Sequence, residues 1–389
     1  MKIVIAPNAL KGSLSAHAAA LAIEQGAKRA LSTIDVSLKP VADGGDGFAE
    51  VLADSLQATQ MNILLTGPLG HKITAPVYIN QHRSLAIIEL ATIAGLTLVP
   101  PEERNPLLTT STGVGEAIKA ALDAGARRLI IGVGGSATND AGIGMAMALG
   151  ARFLNSAGDV VQPIGRSLES ITRIDISHLD KRIAKTNIEV ACDVDNPLFG
   201  ERGAAYVFAP QKGANPQQVV QLDNGLRNFA NVVKASLDID VSGIAGAGAA
   251  GGIGGALVAF CGARLDRGID IVLDSITFDD ALKNASLVLT AEGQLDCQTA
   301  HGKAPAGVAK RAKKQNIPCI ILAGSVAINA DDNTQSDFTA AYSICPGPVS
   351  LQSSMEQAFD FLSYTAEQVV RTFVAASEIS LTQSTINRG

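Results

Sequence analysis

The sequence predicts an α/β protein of two domains, a Rossmann-like parallel-sheet domain and an inserted mixed α/β domain with an antiparallel part. Three observations predict it. Short apolar runs alternate with helical patterns over most of the chain, which is the rhythm of βα units in a parallel sheet. At 389 residues the chain is long enough for two or three domains with sizeable cores. Its 38 glycines and 4% aromatic residues suit many tight turns between strand and helix.

The elements follow in order. KIVIA reads as a buried strand, PNALKGS as a loop, and Ser15 to Leu31 as a helix with Leu14, Ala18, Leu21 and Ala22 on one face. Ser13 or Ser15 is suited to cap it. The strand VSLKPVA ends in DGGDG and leads into a helix through EVLADSL. From Met61 the rhythm changes, because MNILLTGP, KITAPVYIN and RSLAIIELA are strand-like runs with turns and no helix between them. A helix in STGVGEAIKAALDAGA, the strand RRLIIGV, a hairpin in ARFLNSAGDVV and the strand IEVACDV come next. The βα rhythm then returns with ASLVLTAEG, a helix from Ala304 to Gln315, the strands IPCIILAGS and FTAAYSIC, and a last helix from near Ser353. The expected domains are therefore residues 1–61 with 285–389, and 62–284 inserted between them.

Composition excludes several classes of function. With 47% hydrophobic and 17% charged residues the chain is not a disordered one. A net charge of −6 gives no basic face for a nucleic acid, so any phosphate site must be local. Cys192, Cys261, Cys297, Cys319 and Cys345 are scattered and have no C-x-x-C spacing. Neither a disulfide framework nor structural zinc is expected, and a cytoplasmic location fits. The run before Pro7 is too short for a signal peptide. Val241 to Ala263 is uncharged and long enough to span a bilayer, but eight of its residues are glycine, so no membrane helix is expected.

Glycine-rich loops placed after apolar runs carry the chemistry, since ligands of open parallel sheets lie beyond the carboxyl ends of the strands. After the first strand, Lys11, Gly12 and Ser13 stand at a helix N-terminus that attracts a phosphate or carboxylate, or they form an ordinary cap with a solvated lysine. In ADGGDG, Asp43 and Asp46 lie beside Gly44, Gly45 and Gly47; magnesium between the acids is one account and a plain turn the other. In GVGGSATND, Gly134 and Gly135 admit close approach of a ligand, Ser136, Thr138 and Asn139 supply donors, and Asp140 can cap the helix that follows.

In ACDVDNP, Asp193 and Asp195 are separated by one residue, so an extended backbone would turn both carboxylates to one side to share a metal or to divide metal and base roles. A turn at Asn196 and Pro197 is the alternative. In AEGQLDCQTAHGKAP, Glu292, Asp296, Thr299 and Lys303 offer what phosphoryl transfer needs: acids for magnesium, a base and cations. Gly246, Gly248 and Gly251 satisfy G-x-G-x-x-G, but LDIDVSGIA before them is a poor strand. There is no G-x-x-x-x-G-K-[ST] motif, and His17, His71, His82, His178 and His301 have no metal-ligand spacing.

Seven segments in this order, APNALKGSLSA, KPVADGGDG, GVGGSATNDAGIGMAMALG, ACDVDNPLFGERGAA, FAPQKGA, GAGAAGGIGGAL and AEGQLDCQTAHGKAPAGVA, resemble the bacterial glycerate kinase type 1 family. The resemblance covers nearly the whole chain. It implies an ATP-dependent, magnesium-requiring phosphorylation of D-glycerate to 2-phosphoglycerate, in an interdomain cleft of a fold that closes over its substrates. On the residues above, the catalytic candidates are Asp193, Asp195 and Lys11. The candidates for substrate or phosphate are Ser13, Gly44, Gly45, Gly134, Gly135, Ser136, Thr138, Asn139, Asn196, Glu292 and Lys303. The magnesium candidates are Asp43, Asp46 and Asp296.

This chain departs from the family pattern at Asn8, Ala9 and Leu10, at Gln294, where an arginine is common, and at Cys297, where a small residue is common. Small-molecule substrates are the expected partners, and a homodimer is compatible with the sequence. Two other functions stay open: an NAD-dependent oxidoreductase using Gly246, Gly248, Gly251 and Asp270, and a carboxylate-binding protein without turnover.

Overall fold

A computed structural model describes residues 1–42, 47–295, 304–327 and 337–386. The chain opens with β1 (Lys2–Ile5), α1 (Ala16–Ala30), β2 (Asp35–Leu38) and α2 (Phe48–Leu56). Three strands without intervening helices follow, β3 (Thr59–Thr66), β4 (Lys72–Asn80) and β5 (Leu85–Glu89). Then come α3 (Ala91–Ala94), α4 (Thr112–Asp123), β6 (Arg128–Gly132), α5 (Ile143–Ala148), β7 (Arg152–Leu154), β8 (Arg173–Asp175) and β9 (Asn187–Ala191). The next stretch carries α6 (Ala204–Phe208), α7 (Pro216–Leu237), α8 (Ala249–Cys261), β10 (Arg264–Asp266), α9 (Gly268–Ser275) and α10 (Phe278–Leu282). It ends with β11 (Leu287–Leu295), α11 (Ala304–Lys314), β12 (Cys319–Val326), β13 (Ala340–Ser343) and helices at Leu351–Glu356 and Ala358–Ile386. The α/β class and the antiparallel part predicted from the sequence are both present.

Two compact units form, residues 1–42 with 272–389, and residues 43–271. In the first, the order β13-β12-β11-β1-β2 is parallel throughout. In chain order within the unit this is 2-1-3-4-5, the doubly wound arrangement whose switch point lies between β1 and β11. Continuous apolar burial on both faces of β1 and β11 is why their sequences read as unbroken hydrophobic runs.

Ser15 caps α1 by accepting the Ala18 N–H, as the sequence suggests. The buried face is only partly the predicted one: Ala22 is buried and Leu14 packs on the core, but Ala16, Ala19, Ala20, Ile23 and Ala27 complete the face while Leu21 is exposed. The reason is close packing against the helix Ala358–Ile386, where a Cβ on Gly26 would stand 2.0 Å from the Ser363 carbonyl oxygen. Small residues decide that face, and a larger Leu21 turns to solvent.

The second unit holds a sheet of order β10-β9-β6-β5-β4-β3, parallel from β10 to β5 and antiparallel from β5 to β3. A core of Val77, Ile88, Ile118, Leu129, Ile131, Phe153, Phe229 and Phe260 runs through it. The unit begins earlier than the sequence-based boundary near 62, because α2 packs on β4 and β5. Glu89 fixes that attachment by accepting the N–H groups of Gly47 and Ala49 at the start of α2, at 3.2 and 3.0 Å. Among the described residues no helix is long and apolar enough to cross a membrane. The uncharged stretch 241–263 instead forms a turn and α8, buried within the second unit.

Candidate functional site

In the second unit, register brings the carboxyl ends of four strands level, with Glu89 of β5 opposite Gly132 of β6, Gly132 opposite Ala191 of β9, and Ala191 opposite Asp266 of β10. The GVGGSATND and ACDVDNP loops therefore leave the sheet side by side. Between them lies a cleft of about 420 Å³ lined by Gly134, Gly135, Ser136, Asp193, Lys212 and others.

Gly135 takes φ +70°, a left-handed turn that glycine adopts without strain. The loop is then stitched to residues 94–96: Leu96 N–H donates to the Gly135 carbonyl and Ala137 N–H to the Ala94 carbonyl, both at 2.8 Å. Asp140 is fully buried and accepts four bonds, from Ser111 N–H and Oγ and from the N–H groups of Gly142 and Gly144. Its bonds to the Gly142 and Gly144 N–H groups steady the entry to α5, although Gly142 and not Asp140 is the N-cap residue, and Ser111 also ties α4 to the loop. Burial raises its pKa despite these four donors.

Lys212 reaches the same loop from the opposite wall. Its ammonium donates to Ser136 Oγ at 2.8 Å and to the Thr138 carbonyl at 2.7 Å, and the residue is only 3% exposed. Desolvation lowers its pKa to about 7, against the pull of Asp140. Lys212 lies in the segment FAPQKGA, which carries no sign of a site in one dimension. Nothing local marks a lysine as buried.

Thr138 and Asn139 lie beneath the loop surface. Both are fully buried, and Thr138 Oγ1, Asn139 Nδ2 and Asn139 Oδ1 have no hydrogen-bond partner among the described residues. Of the loop's expected donors, Ser136 lines the cleft and these two do not.

Asp193 lines the cleft, with Oδ1 accepting the Gly268 N–H at 2.9 Å. Asp195 pairs with Arg202 at 3.3 Å, with both side chains largely exposed. Asn196 donates from Nδ2 to the Arg202 carbonyl, a loop-closing bond. The two acids thus carry different bonds, Asp193 with Gly268 and Asp195 with Arg202.

The G-x-G-x-x-G segment follows a turn after α7 and no strand, so it lacks the context of a dinucleotide fingerprint. Its glycines serve close packing. A Cβ on Gly246 would stand 2.8 Å from Cys192 Sγ, one on Gly248 2.3 Å from the Pro197 carbonyl oxygen, and one on Gly251 2.0 Å from the Thr138 carbonyl oxygen. This segment is the floor on which both loops rest.

In the first unit, Lys11 and Ser13 follow β1, next to the switch point; Lys11 is exposed, and Ser13 Oγ donates to the Met355 carbonyl at 2.7 Å. Glu292 is buried within β11, and a Cβ on the adjacent Gly293 would meet Lys11 N at 3.5 Å. Asp43, Gly44, Gly45, Asp46, Asp296 and Lys303 lie outside the described residues, as do Cys297 and Thr299.

Comparison with known proteins bears on this arrangement. The sequence profile described as the glycerate kinase family matches residues 3–374. A glycerate kinase of Bacillus subtilis (strain 168) is 45% identical over 98% of this chain and 100% of its own. A glycerate 2-kinase of Escherichia coli (strain K12) is 44% identical over 96% of this chain and 98% of its own. A crystal structure from Salmonella typhimurium LT2, whose glycerate kinase 2 name is itself an assignment, superposes with a TM-score of 0.89 at 45% identity, covering 97% of this chain and 99% of that one. A profile match over nearly all of the sequence, relatives this similar along their whole length and the same fold together establish that the chain belongs to the glycerate kinase family.

Proposed function

We propose that this chain transfers the γ-phosphoryl group of ATP to the 2-hydroxyl of D-glycerate, giving 2-phosphoglycerate and ADP. The hydroxyl oxygen forms the new bond to phosphorus, the bond to the β,γ-bridging oxygen breaks, and the hydroxyl proton passes to a carboxylate. One observation supports the second unit's cleft as the place of reaction: Gly134, Gly135, Ser136, Asp193 and Lys212 meet there, past the ends of parallel strands. Asp193 is the proposed proton acceptor, being the acid that lines the cleft. Gly134, Gly135 and Ser136 are the proposed phosphate cradle, Lys11 and Glu292 belong to the first unit's share of the chemistry, and the two compact units are read as the two domains.

Magnesium belongs to this reading, supplying charge neutralisation at the β- and γ-phosphates. The donor chemistry fits such an ion. Asp193 offers a hard carboxylate oxygen, and among the described residues no group of three His, Cys, Asp or Glu side chains forms a protein cage. Magnesium that keeps its waters and binds through one or two carboxylates and substrate phosphates needs none. Asp43, Asp46 and Asp296 remain proposed as further ligands. ATP as donor also goes with a cytoplasmic site of action.

Coupled ATP consumption with D-glycerate, L-glycerate and a panel of small hydroxy acids tests the proposal, with ³¹P NMR of the product distinguishing the 2- from the 3-phosphate. No turnover of D-glycerate, or a 3-phosphate product, overturns it.

A further inference from the structure

We propose that Lys212 binds an oxyanion of the ligand in the second unit's cleft, the substrate carboxylate or a phosphoryl group, with Ser136 as its partner donor. This rests on the kinase reading above. Lys212 closes a short turn that starts at Pro210 and ends at Gly213, where φ is +95° and a Cβ would stand 2.2 Å from the Arg104 carbonyl oxygen. The turn therefore holds the base of the side chain in one place. Its ammonium has two partners among the described residues, Ser136 Oγ and the Thr138 carbonyl, and one N–H remains.

Two neutral acceptors do not explain why a cation is buried here. Holding an ammonium away from water costs several kcal/mol unless an opposite charge answers it. Asp140 supplies the attraction, but its carboxylate already accepts four other donors. A neutral donor would tie the loop as well at lower cost. An anion in the cleft supplies the missing counter-charge. Ser136 suits the same purpose: its oxygen accepts from Lys212, so its own hydroxyl hydrogen is left to point at a ligand. The lowered pKa of Lys212 agrees with a cation short of counter-charge.

The test measures binding of D-glycerate, ATP and inorganic phosphate to the full chain and to Lys212→Met by calorimetry. Methionine keeps most of the buried volume and removes the charge, and Tm with near-ultraviolet circular dichroism checks the fold. Loss of a hydrogen bond to a charged group predicts roughly 10- to 150-fold weaker binding. A loss confined to glycerate identifies the carboxylate, and a loss for ATP and phosphate identifies the phosphoryl group. Equal affinities for all three ligands overturn the proposal.

A second reading needs no variant. At pH 8, binding to the wild-type protein takes up a proton, seen as a heat that depends on the buffer's ionisation enthalpy, because the anion restores the ammonium. Failure of the wild-type protein to phosphorylate glycerate, with phosphate binding still dependent on Lys212, would count against the kinase reading and not against this one.

Discussion

Gly251 packs against Thr138 with no space for a side chain between them: a Cβ on Gly251 would stand 2.0 Å from the Thr138 carbonyl oxygen and 2.6 Å from the Asn139 Cα. The Gly251 carbonyl in turn accepts the Ala141 N–H at 3.0 Å. The GVGGSATND loop is thus held from below by backbone alone, and from the side by Lys212.

Gly251→Ala is expected to lose stability by at least about 2 kcal/mol, from the left-handed φ of +67° and from the backbone collision together. The folded fraction should also bind its substrates more weakly, because the loop must lift. Chemical denaturation and steady-state kinetics on one preparation check both. Wild-type stability in the variant would mean that the loop relaxes without cost.

Thr138→Val has the opposite expectation. The hydroxyl is fully buried and has no partner among the described residues. Replacing it by a methyl group of similar shape removes a desolvation penalty of about 1–3 kcal/mol. Tm should rise by several degrees, with kinetics unchanged, since the hydroxyl does not line the cleft. A fall in Tm would reveal a bonded partner for Oγ1.

Asp193 and Asp195 are expected to part in their effects. Asp193→Asn keeps an oxygen to accept the Gly268 N–H, so stability should change little. If Asp193 is the proton acceptor, kcat falls by about 100-fold or more. Asp195→Asn breaks only an exposed ion pair with Arg202, worth at most about 1 kcal/mol, and should leave kcat unaltered. Reversed results would move the base to Asp195.

These contrasts also show what a sequence can disclose. The βα rhythm, the three antiparallel strands and the Ser15 cap depend on patterns within about 20 residues, and they are readable for that reason. The GVGGSATND loop announces itself by glycine and hydroxyl density. The depth of Thr138 and Asn139 does not, because it is set by Gly251, more than 100 positions later. Lys212 is invisible for the same reason: its partners lie 76 and 74 residues away. Asp193 and Asp195 look equivalent in one dimension, and only Gly268 and Arg202 distinguish them.

The charge of Lys212 makes a last expectation about pH. Burial holds its pKa at about 7, far below the usual 10.5 of a lysine. Between these values the unfolded chain carries a proton on Lys212 that the folded chain lacks, so this group makes stability rise with pH across that window. Below pH 7 the ammonium is buried in full and its cost is complete. The slope is at most about 1.4 kcal/mol per pH unit, and it belongs to Lys212 alone if the comparison is with Lys212→Met, in which other titrations cancel. The stability advantage of the methionine variant should therefore be greatest near pH 6 and shrink steadily toward pH 9. Asp140, whose pKa the same burial raises, is present in both proteins, and the comparison is made from pH 6 upward, where the Lys212 contribution changes. Urea unfolding of both proteins at each pH measures the difference, and a difference that does not vary with pH would show that Lys212 keeps its proton throughout.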